Sequence, residues 1–207
     1  MDAWPRLIAC REASPPLLAG AAISLGLGGL QTRNLADVGW VWTEVYQAFN
    51  VNSLAGRAFA NRIARAWNEG EIFSIVHPDL ATPLGAGAAG YTPLVNGAGQ
   101  CGTSLVTDGW PPSSTVLREG DPIRLGGVPG VYRMRADVAA DATGAATLTL
   151  DPLILVGSGP ADNAPITWTG VPFYAILGEA PDLKSHRAGP SGHIVGLELT
   201  FFEALST

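Results

Sequence analysis

Charge is scarce in this chain. Asp, Glu, Lys and Arg make up 14% of its 207 residues, against about 25% in an ordinary soluble domain. A solvent-facing monomer carries more charge than that. The composition therefore predicts a surface covered by copies of the chain or by partners, ahead of one filled by Ser, Thr, Asn and Gly. The net charge is −6, and no concentrated basic footprint is present of the kind a nucleic-acid backbone demands, so no nucleic-acid partner is expected. Cysteine is nearly absent. Cys10 and Cys101 are the only two, which excludes a disulfide framework and a Cys-x-x-Cys pair. Both are expected to be small buried side chains in a reducing compartment. Long hydrophobic runs are missing as well. Residues 17–30 form an apolar stretch of 14, rich in Gly and Ala, short of the roughly 20 that span a bilayer. Residues 1–11 lack the basic start and apolar run of a secretion signal. The expectation is a soluble protein with no membrane insertion.

Hydrophobic residues make up 47% of the chain, enough for one domain with an insertion or for two small domains. Most of the pattern is strand-like. Residues 18–30 read as one strand interrupted by glycine, with a turn at Gly28-Gly29. Residues 38–49 alternate, with Trp40, Trp42, Glu44 and Tyr46 on one side and Val41, Thr43, Val45 and Gln47 on the other. Both sides hold apolar groups, so both are expected to be covered. The one helix is expected over 53–68, capped by Asn52 or Ser53. Phe59, Ile63 and Trp67 recur every four residues and should face inward. Gly70 should end it, and a strand at 71–76 should stop at His77-Pro78-Asp79.

At residues 83–97 the composition turns glycine-rich and charge-poor, which suits a crossing into an inserted module at 81–169. Inside it, strands are expected at 103–107, 114–117, 122–125, 131–138, 145–150 and 166–169, with a hairpin turn at Asp141-Ala142-Thr143-Gly144. Short strands between Gly and Pro turns read as a small barrel. The module is mildly acidic, with seven acidic and four basic residues. The chain then resumes with strands at 172–177 and 192–202. In the second, Val195, Leu197, Leu199 and Phe201 share an apolar face. The fold class expected is mainly β: a β-sandwich-like core of residues 1–80 and 170–207 with one α-helix, and a small β-barrel-like insert.

Signatures of catalysis are weak. Gly97-Ala98-Gly99-Gln100-Cys101-Gly102 has dinucleotide-loop spacing, but a β-prone stretch and Pro111-Pro112 follow where a phosphate-binding helix would have to begin. His77, His186 and His193 match no metal-ligand spacing. Gly157-Ser158-Gly159 is no nucleophile elbow. Glu119 and Asp121 could act as a glycosidase carboxylate pair, but more simply cap the turn Arg118-Glu119-Gly120-Asp121. The arginines Arg57, Arg62 and Arg65 lie off the helix's apolar stripe. They form either a solvated face or an intersubunit face whose guanidinium forks pair with a neighbour's carboxylates. Trp40, Trp42, Trp67, Trp110 and Trp168 are core packing or interface anchors. No enzyme activity, cofactor or metal is expected.

Three stretches carry a family resemblance. They are the helix-then-strand passage 52–79 ending EIFSIVHPD, the segment 95–155, and the closing strand 197–205 (LELTFFEAL). The middle one holds Leu117, Gly120 and Asp121, then a turn with Asp141 and Gly144, then Asp151-Pro152-Leu153. Together they resemble phage distal tail proteins, including the hub-ring protein of gene-transfer-agent particles. The resemblance implies six copies closing into a ring that joins the tail tube to the tail tip or baseplate. The ring would be assembled in the bacterial cytoplasm, with the insert on its outside. Some relatives' modules have an oligosaccharide-binding barrel shape, which implies at most weak glycan contact. Ring contacts are placed at Arg57, Arg62, Arg65, Trp42 and Glu203 from position and residue type. Two other classes stand beside this: a carbohydrate-binding or adhesion module using exposed Trp110 and Trp168, and a hydrolase with perturbed carboxylates in a pocket.

Overall fold

The computed structural model describes residues 2–4, 8–18, 23–25, 31–33, 39–85, 90–183, 187–188 and 192–204. The expected Gly28-Gly29 turn, Lys184 and His186 lie outside them. In chain order the strands are β1 (Asp2–Ala3), β2 (Cys10–Ala13), β3 (Leu17–Leu18), β4 (Ile23–Leu25), β5 (Gln31–Arg33), β6 (Trp40–Tyr46) and β7 (Phe49–Asn50). Helix α1 (Leu54–Glu69) and β8 (Phe73–Val76) follow, then β9 (Leu94–Val95), β10 (Gly102–Asp108), β11 (Thr115–Leu117), β12 (Pro122–Leu125), β13 (Val131–Met134), β14 (Val138–Ala139), β15 (Ala146–Ile154) and β16 (Ile166–Thr167). The chain closes with β17 (Pro172–Leu177), β18 (Arg187–Ala188), β19 (His193–Ile194) and β20 (Glu198–Glu203). The fold is mainly β, with a single α-helix among the described residues. It divides into two compact units, one of Met1–Ile75 with Phe173–Thr207, the other of Val76–Pro172. The insert expected at 81–169 lies within the second unit.

The first unit is built on an open sheet ordered β1-β8-β17-β20-β6-β2, with β3 also paired to β6. Strand alternation puts Trp42 and Tyr46 of β6, Leu199 and Phe201 of β20, Phe173 of β17 and Phe73 of β8 in the core. Helix α1 buries Gly56, Phe59, Ile63 and Ala66, a three-four-three spacing that keeps one stripe inward. Phe59 meets Tyr46, Phe49 and Trp4 at ring-centroid distances of 5.0, 5.5 and 6.3 Å. The Ser53 hydroxyl accepts from the Gly56 N–H, and Gly70 closes the helix in the left-handed region at φ 60°. Trp67 departs from the expected stripe and stays 41% exposed. Each four-residue step turns the helix 40° past a full circle, so by the second step from Phe59 the side chain has rotated out of the packed sector.

Two expected strands are shorter than the sequence suggests. The stretch 18–30 holds the separate strands β3 and β4 instead of one. The stretch 192–202 breaks into β19 and β20 around Gly196 at φ 67°, so Ile194 is buried and Val195 is 51% exposed. The left-handed glycine resets the alternation, which is why Val195 leaves the face expected of it.

In the second unit the strand order is β16-β12-β13-β15-β10-β9. The ends meet: Leu94 bridges Pro165, and the Val95 N–H donates to Ala164 O and the Ile166 N–H to Pro93 O, both at 3.0 Å. This makes a nearly closed barrel with a β11–β14 hairpin-like pair beside it. Its interior is aliphatic, with Val95, Leu105, Leu117, Ile123, Leu148 and Leu150 fully buried. The strand expected over 131–138 ends at Met134 because Asp137 turns away to the 118–119 turn, where it accepts from the Glu119 N–H at 3.0 Å and pairs with Arg118.

Candidate functional site

The outer face of α1 carries the sequence-predicted contact residues, and their surroundings separate them. Arg62 is half-buried. Its guanidinium makes a two-pronged pair with Glu71 and lies 4.8 Å over the Phe73 ring, a fork geometry suited to both roles. Its hydrogen bonds hold the Glu71 carboxyl below its usual value of 4.5, against the opposing effect of burial and with help from the Arg62 and Arg65 charges. Arg62 therefore acts inside the unit. Arg65 is solvated, 3.9 Å from Glu69 one helical turn on. Arg57 is exposed, its Nε–H donating to Val51 O at 3.4 Å. Leu54, 90% exposed, and Trp67 add apolar surface to the same helix. This leaves Arg57, Arg65, Leu54 and Trp67 as side chains that can meet another molecule.

Trp42 and Glu203 need correction as contact residues. Trp42 is 1% exposed and stacks on Phe201 at 5.4 Å. Glu203 is buried too, with Oε2 accepting from the Trp40 N–H at 3.3 Å. Both face inward because the alternation of β6 and β20 assigns them to the core side, and a buried side chain offers a neighbour no surface. The same face holds Glu44, fully buried. Its Oε2 accepts from the Tyr46 hydroxyl at 2.6 Å and its Oε1 from the Trp42 indole N–H at 3.4 Å. Trp4 in turn donates to the Tyr46 hydroxyl at 2.8 Å. A carboxylate is held in an aromatic core by donors that satisfy it.

In the barrel unit the chemistry-bearing motifs serve as staples. The loop Gly97–Gly102 has its backbone donors engaged: Gly97 N–H donates to Asp162 Oδ1 and Gly99 N–H to Pro160 O, both at 2.8 Å. The Gln100 amide accepts from the Val106 N–H at 2.7 Å and donates back to Val106 O at 3.0 Å, so one side chain takes the place of a neighbouring strand. Asp121 is buried. Its Oδ1 accepts from Leu84 N–H at 2.7 Å, and its Oδ2 accepts from Gly85 N–H at 3.0 Å and Arg118 N–H at 2.7 Å. Asp121 thus clamps the entering segment to the 118–121 turn, and the turn reading of that sequence holds over the carboxylate-pair reading. Asp141 caps its own turn. Its carboxyl is lowered first by the Thr143 hydroxyl and then by the Ala145 and Thr143 N–H groups.

A shallow depression of about 340 Å³ is lined by Val106, Ala139, Ala140, Asp141, Ala145, Ala146 and Thr147, and its only carboxylate is the turn-capping Asp141. His77 is buried and its Nδ1 accepts from the Asp79 N–H at 3.2 Å. Among the described residues no three His, Cys, Asp or Glu converge. Cys101 is exposed and Cys10 half-buried. Both lie in or beside strand starts instead of the core expected of them, because their neighbours along the chain supply the inward positions. Trp110, expected as an exposed sugar platform, is buried. Its indole N–H donates to Thr107 Oγ1 at 2.8 Å, and Trp168 packs against it at 6.4 Å.

Strand edges also differ from expectation. The barrel's ends close on each other. The β2 edge of the open sheet carries a register shift between Cys10 and Glu12, an Arg11–Glu12 ion pair at 3.1 Å and then Pro15-Pro16. These features blunt strand addition, so side-chain surfaces, chiefly that of α1, are what this unit offers along its described length. Sequence reasoning missed Trp4, Gln100 and Asp162. Gln100 and Asp162 carry no motif, and Trp4 sits in a stretch too short for periodicity. No family model matches the chain, and no curated protein matches it by sequence.

Proposed function

We propose that the chain is a structural ring, or hub, subunit that joins the tail tube to the tail tip or baseplate of a phage-like particle, with six copies per ring and no catalytic role. One observation carries the reading: a self-contained barrel is spliced into an open sheet without disturbing it. Strands β8 and β17, which flank the insert, are hydrogen-bonded neighbours in the sheet. Inside the second unit the Gly170 N–H donates to Ala81 O at 2.8 Å, tying the insert's two ends together. Such a plan lets one unit carry conserved assembly contacts while the other varies. The low charge content, the exposed Leu54 and Trp67 and the family resemblance support the same reading. Ring closure is a head-to-tail contact between unlike patches of identical chains, with about 2,000 Å² or more buried in total per obligate interface.

The test is location. Gold-labelled antibody against the chain should mark purified particles at the distal end of the tail and nowhere else. Particles that carry no label, from cells that make the protein, would contradict the reading.

A further inference from the structure

The N-terminal strand ends in a plug. Trp4 is buried in a slot made by Phe73, Phe201 and Phe59, edge-on to each at 4.7, 5.2 and 6.3 Å. The Tyr46 hydroxyl accepts its indole N–H at 2.8 Å, and its backbone N–H donates to Ser74 O at 3.0 Å. Apart from this plug, β1 adds only the two-residue parallel pairing of Asp2 with Phe73 and Ala3 with Ser74. The arm is thus held mainly by one side chain in one preformed aromatic slot.

The connection behind the arm has no slack. The strand order sets β1 at one edge of the sheet and β2 at the other, with β8, β17, β20 and β6 between. Ala9 is already fastened beside β6, its carbonyl accepting from the Gln47 N–H at 3.0 Å. Five strand spacings come to about 24 Å at ~4.8 Å each. Five peptide steps from Trp4 to Ala9 cover at most ~18 Å. The arm reaches its own slot only because the sheet curls. A short connection at the limit of its reach favours exchange of the tethered element between copies, and exchange keeps every contact of the slot while removing the tether's constraint.

We propose that in the assembled protein the Trp4 arm of each copy fills the slot of the next, so that the slot is a docking site for a second copy's N-terminal arm. The proposal rests on the ring reading and deepens it by naming a contact. Passed from copy to copy in one direction, the arm gives the head-to-tail linkage that closes a ring.

Ala3 and Ser74 are paired across the two strands, so Ala3→Cys with Ser74→Cys reports which chain owns the arm. The native thiols are first removed by Cys10→Ser and Cys101→Ser. The native mass of the sample is measured, the sample is oxidised, and it is run unreduced on a denaturing gel. Exchange predicts chains linked into dimers and higher multiples from the assembled fraction. An assembled sample that gives only internally bonded single chains overturns the exchange and leaves the ring reading standing. A sample that is monomeric at every concentration overturns the ring reading and the exchange with it. If no bond forms, Trp4→Ala in the full chain decides: exchange predicts association at least tenfold weaker, and unchanged association overturns it.

Discussion

In the Val76–Pro172 unit the last strand of the sheet meets the first, through Leu94 and Pro165. In the other unit the sheet stays open, with β1 at one edge and β2 at the other. The cores differ in the same sense. The barrel interior is aliphatic, and its polar side chains sit at turns: Asp121, Asp141 and Gln100 each bind backbone groups. The open unit has an aromatic core with a carboxylate inside it, Glu44, and an arginine–carboxylate pair on its helix. A closed sheet satisfies its own backbone and needs side chains only to fasten loops. An open one depends on side chains to fix its layers, and it retains a helix surface and a tethered arm that can meet other molecules.

The comparison can be broken most directly at Phe59. Phe59→Ala removes the ring that meets Trp4, Tyr46 and Phe49 and should cost about 3–5 kcal/mol. Chemical unfolding followed by fluorescence should then show the open unit, with Trp4, Trp40 and Trp42, melting ahead of an unchanged barrel. A single shifted transition would mean that the two units fold as one. The mirror experiment is Asp121→Ala. It leaves the Leu84, Gly85 and Arg118 N–H groups without their carboxylate and should cost about 3 kcal/mol, this time with the barrel melting first.

Acid sharpens the difference further. The Glu71 carboxyl is lowered in the folded open unit by its Arg62 hydrogen bonds. A depressed carboxyl contributes its stability fully above its unfolded value, 4.5, and loses it as pH falls through the folded value. The open unit's urea midpoint should therefore drop on going from pH 6 to pH 3. Glu71→Gln should start lower at pH 6 and drop less, and equal drops in the two proteins would remove Glu71 from the account. The smallest effect is expected at Arg65, whose partner Glu69 is as solvated as it is. Arg65→Ala should change stability by no more than about 0.5 kcal/mol, so any loss of self-association in that variant reports a contact between copies.

Local signals in the sequence located much of this architecture. The β6 alternation, the Ser53 and Gly70 ends of α1 and the Asp141 turn are read from residue types and short spacings, and the structure has them. Trp67 was misjudged because a strict four-residue repeat drifts around the helix. Val195 was misjudged because Gly196 adopts a left-handed conformation that no alternation count contains. Contact residues were the least legible. Choosing Trp42 and Glu203 by type ignored that the buried side of a strand can hold a carboxylate when aromatic donors face it. Trp4 escaped because its role depends on partners at positions 46, 59, 73 and 201.

The account stands on self-association of the open-sheet unit, and sedimentation of the full chain across a wide concentration range measures that. It should give a dominant species near six times the 21.4 kDa of one chain, dissociating only on dilution. A single 21.4 kDa species at every concentration would contradict it.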